Sequence, residues 1–464
     1  MTIAPAMLDA VLARVDADLA NALSRLKDLL RIKSISTDPA YAAECQRAAQ
    51  FLVDDLAGQG FTAAARPTPG HPVVVAHDSV GTGPHVLFYG HYDVQPVDPL
   101  NLWHTDPFEP VIKDDANGRK IIVARGSSDD KGQLMTFVEA CRAWKNVNGS
   151  LPVRVSLMLE GEEESGGKNL PPFMAANADE LRADIALVCD TDMWDRKTPS
   201  ITTMLRGLVG EEIEITCASK DLHSGMFGNA ARNPNQVLAE IIASLRAPDG
   251  SVTLPGFYDD VAEVPDAIKA QWKGLGFDEK AFLAEAGLSI PAGESARSVL
   301  EMIWARPTCE INGMIGGYTG DGFKTVIPAK ASAKISFRLV SGMVPDKIRA
   351  AFRKHVQDRI PADCSVTFRE HGGSPAITVP SDGVYLKQAL AGLTGEWNKE
   401  AVITGSGGSI PVAGDFKKIL GMDTLLIGFA HVDDSIHSPN EKYDLESFHR
   451  GIRSWVRVLA AFAA

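Results

Sequence analysis

The chain has 464 residues, 45% hydrophobic and 23% charged, enough apolar material for two or three domains. Its formal net charge of −13 argues against the basic face that nucleic acid requires, and no apolar run approaches membrane-spanning length. Neither nucleic acid nor a membrane is therefore expected as a partner. The N-terminus carries no basic region ahead of an apolar stretch, and the six cysteines (Cys45, Cys141, Cys189, Cys217, Cys309, Cys364) are scattered without a CxxC. Both features suggest a cytoplasmic chain whose thiols are reduced and buried as packing residues.

In chain order, Leu8, Val11, Leu12, Val15, Leu19, Leu23, Leu26 and Leu30 recur at helical spacing and predict a long amphipathic helix. Short apolar runs then predict buried strands at 85–89, 121–124, 153–159, 185–189 and 424–429. Helical patterns cover 131–144 and 447–461. Strands alternating with helices predict an α/β fold, a mixed and mostly parallel sheet with helices on both faces. The middle of the chain differs. The runs 211–217 (EEIEITC) and 331–340 (ASAKISFRLV) alternate apolar and polar, as antiparallel strands with one buried face do. Helical spacing at 235–245 and 346–356 completes a smaller α+β domain. The expected division is 1–206 with 383–464 as the metal-binding domain and 207–382 as an insertion.

The chemistry collects where the strands end, which is where open α/β sheets bind ligands. After 85–89 comes Gly90-His91-Tyr92-Asp93; after 121–124 comes Arg125-Gly126-Ser127-Ser128-Asp129-Asp130. After 153–159 comes the run Glu160-Gly161-Glu162-Glu163-Glu164, and after 185–189 comes Asp190-Thr191-Asp192. The last strand leads to His437. A solitary histidine here is usually a satisfied surface group, and an Asp pair usually caps a helix. Five strand ends all carrying ligand-type side chains are not explained that way. If the strands lie in one sheet, the groups converge. Clustered carboxylates need a countercharge, which one or two divalent cations supply. Mixed His, Asp and Glu donors suit zinc, with manganese or cobalt as alternatives, and the absence of Cys donors favours an open catalytic site.

The ordered set GHYDVQP, ARGSSDDKGQ, EGEEESGG, VCDTD and HSPNEKY resembles the M20 metallopeptidases, nearest to the carnosinase-type dipeptidases. LHSGMFGN, KTVIPAKASAKISFRLV and GGSIP extend the resemblance. It implies two divalent ions per subunit, with His91, the bridging Asp129 and Asp190 on one side, and Asp129, Glu164 and His437 on the other. It implies that Asp93 holds the His91 ring, that a cis peptide follows Asp129, and that Glu163 is the general base acting on a metal-bridging water. His223 would reach the site of a partner subunit in a homodimer and stabilise the oxyanion. Arg338, Gly408 and Ser409 would bind the substrate carboxylate, and Asn235 would assist. The implied reaction is hydrolysis of dipeptides or short peptides with a free C-terminal carboxylate. Hydrolysis of N-acyl or N-carbamoyl amino acids stays open as the alternative. Two acids depart from the pattern. Glu162 and Asp192 are expected as solvated or pocket-mouth charges that favour a cationic amine.

Overall fold

The computed structural model describes residues 3–78, 80–408 and 410–464. Residues 1–203, 379–404 and 415–464 form one unit, and 204–378 with 405–414 form the other. The boundaries thus fall at 203/204 and 378/379 rather than 206/207 and 382/383, and the stretch 405–414 groups with the second unit instead of the first.

The apolar runs of the first unit become the middle of a mixed sheet. His85–His91 pairs in parallel with Arg154–Glu160 on one side and Ile185–Val188 on the other, and Thr424–Leu426 continues in parallel beyond Ile185–Val188. Thr62–Arg66 and Val73–Asp78 extend one flank, and Ser200–Leu205 the other, by antiparallel pairing. The centre is parallel because helical crossovers link its strands; Lys131–Asn148 lies between the His85 and Arg154 strands in sequence and packs on the sheet. Phe88 stacks on Phe137 at 3.9 Å, and Trp455 closes on Phe137 edge-on at 5.3 Å. The next residue, Tyr89, meets Phe416 at 6.0 Å. Successive side chains point to opposite faces of a strand, so helical residues cover both faces. The helices Pro5–Leu30 and Leu445–Phe462 pack beside Lys131–Asn148, and Leu26, Leu29 and Leu30 of the first are fully buried.

One predicted strand is not in this sheet. Lys120–Val123 pairs antiparallel with Val111–Asp114 and Lys442–Asp444 in a separate three-stranded sheet. Its apolar run identified a strand, but periodicity carries no information on pairing partners. The loop that follows it is pinned by side chains instead, as described below.

The second unit is a four-stranded antiparallel sheet in the order Thr308–Gly316, Lys330–Leu339, Gly207–Thr216, Ser365–Ser374. Ile213, Ile215, Ile335 and Phe337 form a core with Leu238, Ile241 and Phe352 of the helices Pro234–Ala243 and Pro345–Gln357. The alternation of EEIEITC is thereby explained: Ile213 and Ile215 point into the core, and Glu212 and Glu214 point out. Among the described residues, no helix is long and apolar enough to cross a membrane.

Candidate metal centre

Strand register brings the first set of groups together. His91 ends its strand directly opposite Glu160, with the Ile185–Val188 strand on its other side leading to Asp190. His91 is fully buried. Its Nδ1 lies 3.1 Å from the Asp93 carbonyl and 3.4 Å from Asp93 Oδ1, and its Nε2 lies 3.0 Å from Asp129 Oδ1 and 3.9 Å from Asp190 Oδ2. A carbonyl only accepts, so Nδ1 donates to Asp93 and Nε2 is the atom left for ligation.

Asp129 sits on the loop between Lys120–Val123 and the helix Lys131–Asn148, and the fully buried Glu441 fixes that loop. Glu441 Oε1 accepts from the Ser128 and Asp129 amides at 2.8 and 3.0 Å, and Oε2 accepts from the Gly126 amide at 2.9 Å and from Arg125 at 2.8 Å. The Ser128 hydroxyl donates to Asp434 at 2.9 Å. The Asp129–Asp130 peptide is cis, and the Asp130 carboxylate accepts from the His91 amide at 3.0 Å.

Glu164 lies in a single 3₁₀ turn, Glu163–Ser165, after the Arg154–Glu160 strand. Its amide donates to Asp93 Oδ2 at 3.0 Å, so one aspartate orients both His91 and the turn that carries Glu164. Glu164 Oε2 accepts from Gln95 at 2.6 Å and lies 3.2 Å from His437 Nε2. His437 adopts a left-handed backbone, φ 58°, and its Nε2 is 2.8 Å from Asp129 Oδ2. Two groups result, His91/Asp129/Asp190 and Asp129/Glu164/His437, each with its donor atoms within 4.8 Å of one another. Asp129 belongs to both, with a different oxygen toward each histidine.

The electrostatics test whether cations fit. Hydrogen bonds to Asp129 and Glu164 push His437 up to about 10. Burial would lower His91, but its bonds to Asp129 and Asp93 raise it well above the usual imidazole value. Burial and the Asp129 charge hold Asp190 well above the carboxylate range. Two imidazoles and a carboxyl that all gather protons mark a pocket short of positive charge. Glu164 Oε1 is buried with no hydrogen-bond partner. Divalent cations would supply the missing charge and engage that oxygen, so the donor set fits the metals that the sequence implied.

The four glutamates separate into different environments. Glu160 accepts from the Tyr89 hydroxyl at 2.6 Å, and burial pushes it up to about 8. Glu163 belongs to neither group of donors. It is half-buried, and burial, reinforced by Glu164, Asp93 and Asp129, raises its carboxyl. Glu162 is neither solvated nor at a pocket mouth. It is buried, accepts from Asn169 at 2.7 Å, and packs so closely on Gly70 that a Cβ there would meet its Oε1 at 1.9 Å. Its alternate position relative to Glu163 turns it into packing, which no local charge pattern signals. Asp192 is exposed and pairs its backbone with Ala430.

The remaining predicted residues belong to the second unit. His223 is exposed, ends the two-residue strand Leu222–His223, and accepts the Gly225 amide at Nδ1, 3.0 Å. Asn235 lies in the first turn of the helix Pro234–Ala243 and packs on Gly316. Arg338 is half-buried on the Lys330–Leu339 strand. Gly408 donates its amide to the Ser406 hydroxyl at 3.1 Å; Ser409 lies outside the described residues. The sequence reading missed Arg206. Its guanidinium donates to the Gly407 carbonyl at 3.1 Å, and burial and the nearby Arg338 lower it to about 10. Two guanidiniums thus stand near one another beside the Gly407–Gly408 backbone, with no carboxylate hydrogen-bonded to either among the described residues. No motif marks it: Arg206 stands alone in MLRGL between the strands Ser200–Leu205 and Gly207–Thr216. Glu441, Arg125 and Gln95 were also missed as structural supports, although all three stand inside or next to the quoted motifs.

Residues 87–461 match the description of peptidase family M20/M25/M40. The chain is 30% identical to the Cys-Gly metallodipeptidase of Schizosaccharomyces pombe over 470 aligned positions, 96% of each chain. It is 28% identical to the Beta-Ala-His dipeptidase of Homo sapiens, covering 99% of this chain and 92% of the human one. The solved M20 family metallo-carboxypeptidase of Sulfolobus solfataricus superposes with a TM-score of 0.77 at 31% identity, covering 95% of this chain and 99% of that one.

Proposed function

The chain belongs to peptidase family M20/M25/M40 and is a metal-dependent hydrolytic peptidase, and from that premise we propose that it is a dinuclear dipeptidase. The observation that carries this reading is Asp129, shared between two donor groups. His91, Asp129 and Asp190 would hold one ion, and Asp129, Glu164 and His437 would hold the other. Zinc suits these donors best, with manganese or cobalt as alternatives. When bound there, such ions would supply Lewis acidity, polarising the scissile carbonyl and lowering the pKa of water toward about 7.

The chain's own residues do the rest. Asp93 fixes the His91 tautomer and the Glu164 turn. Glu163 takes a proton from the attacking water and passes it to the leaving amine, a task suited to a carboxyl raised by its surroundings. Arg338, assisted by Arg206 and the Gly408 amide, binds the substrate's C-terminal carboxylate; Ser409 and Asn235 complete that recognition. The protein acts as a homodimer, in which the partner subunit's His223 donates to the oxyanion. Its exposed side chain accords with that role.

Two experiments test the reading. Zinc- and manganese-loaded protein is assayed on Cys-Gly, β-Ala-His and N-acyl amino acids. Dipeptides should be hydrolysed at least tenfold faster, and preference for N-acyl substrates would overturn the dipeptidase assignment. Glu163→Gln and His223→Ala chains, each inactive alone, are then mixed. Mixed dimers hold one site with both groups intact, so activity should return; no recovery despite subunit exchange would remove His223 from the partner's site.

A further inference from the structure

Cys217 and Cys364 were expected among the buried packing thiols, and neither is fully buried; the other four cysteines are. The two lie far apart in sequence, and the second unit's sheet makes them neighbours. Gly207–Thr216 runs antiparallel to Ser365–Ser374 with Thr216 opposite Ser365. One step further along each chain sets Cys217 opposite Cys364. The Cys217 amide donates to Ala329 at 3.0 Å, and the Cys364 amide donates to Pro361 at 2.9 Å. Neither amide bonds across the pair, so the cysteines occupy a non-hydrogen-bonded position. There the Cα atoms approach to about 4.5 Å and the side chains are closest, within the range that a disulfide spans. Their Sγ atoms are 2.7 Å apart, so only a small torsional adjustment separates them from a covalent bond of about 2.05 Å. The exposed ion pair of Arg232 with Asp363, 2.8 Å, stands next to them.

We propose that Cys217 and Cys364 form a reversible redox site, which takes a low-molecular-weight disulfide as oxidant and closes to an intrachain disulfide. The reaction balances as two thiol–disulfide exchanges. The Cys364 thiolate attacks one sulfur of the oxidant, a mixed disulfide forms, and one small thiolate leaves. The Cys217 thiolate then attacks the Cys364 sulfur and expels the second small thiolate. Two protons leave the protein, two electrons pass to the oxidant, and two small thiols are produced. Burial, with the Cys364 sulfur alongside, pushes the Cys217 thiol up to about 12, which gives it the second step, where the attack is intramolecular. The bond clasps the base of the segment running from 217 to 232, whose far end Arg232 already ties to Asp363. A long loop closed in the unfolded chain should also raise the Tm, by about 5 °C.

The test equilibrates the intact protein with graded mixtures of oxidised and reduced glutathione, followed by acid quench, alkylation and peptide mass mapping. A peptide joining Cys217 to Cys364 should accumulate toward the oxidised end, disappear on adding reductant, and accompany the rise in Tm. In Cys217→Ser, Cys364 should instead be trapped as a glutathione adduct, which distinguishes a failed clasp from an unreactive site. Alkylation of both cysteines at every ratio, or single adducts without a cross-link in the unmodified protein, would overturn the proposal.

Discussion

The two donor groups share Asp129, yet they are held in different ways. His91 ends a central parallel strand, has no solvent exposure, and is bonded through Nδ1 to Asp93. His437 sits on a loop with its side chain 54% exposed, and it is held mainly by the carboxylates it faces. One side is built into the sheet before any ion arrives. The other depends on charge to be completed. Preorganisation is therefore uneven across a site whose ligand types are nearly the same on both sides, and the proposed ions should differ in how tightly and how quickly they exchange.

The severest way to break the comparison is to remove what the sides share. Asp129→Ala should release both ions and lower hydrolysis by more than about 10⁴-fold, with metal per chain read by elemental analysis. Retention of one ion at full occupancy would mean that the groups are independent. Glu163→Gln should keep both ions and lower kcat by about 10²–10⁴-fold. Loss of metal in that variant would make Glu163 a ligand and redraw both groups. Asp93→Asn sharpens the contrast, because Asp93 faces the His91 ring itself on the built side and reaches the other side only through the Glu164 amide. Metal affinity should fall about 10–100-fold, and the slower of two phases in chelator-driven release should accelerate.

The pH response gives the smallest and most diagnostic effect. His437 is raised to about 10, so in the metal-free protein it holds a proton at neutral pH. Ligation requires the neutral ring, so metal binding must displace that proton. Affinity on this side should therefore rise with pH, by up to about tenfold per unit, until the pH passes the raised pKa. Proton release measured by calorimetry in buffers of different ionisation enthalpy checks this. A pH-independent affinity between about pH 7 and 9 would show that the proton is not there.

How much of this was readable in the sequence depends on what kind of contact is asked for. His91, Asp93, Glu164 and Asp190 follow apolar runs directly, and parallel pairing then places those ends side by side. Asp129 was found for a partly mistaken reason, since its strand belongs to another sheet. What delivers it is Glu441, through hydrogen bonds spanning more than 300 residues of sequence. Glu162 was misjudged because burial against Gly70 is a property of packing. Arg206 gave no motif at all; only its approach to Arg338 and Gly407 marks it.

By itself the sequence determined where ligand-type side chains cluster, the α/β character of the main unit, and the antiparallel character of the insertion. Those properties are local, because periodicity and ligand-type side chains are written within a few neighbouring residues. Tertiary structure alone decided that a buried glutamate holds the Asp129 loop in place, that one of four glutamates is packing, and that two distant cysteines face each other. Each of these rests on register, burial or hydrogen bonds between residues far apart in the chain, and no local pattern encodes which distant partner a side chain will meet.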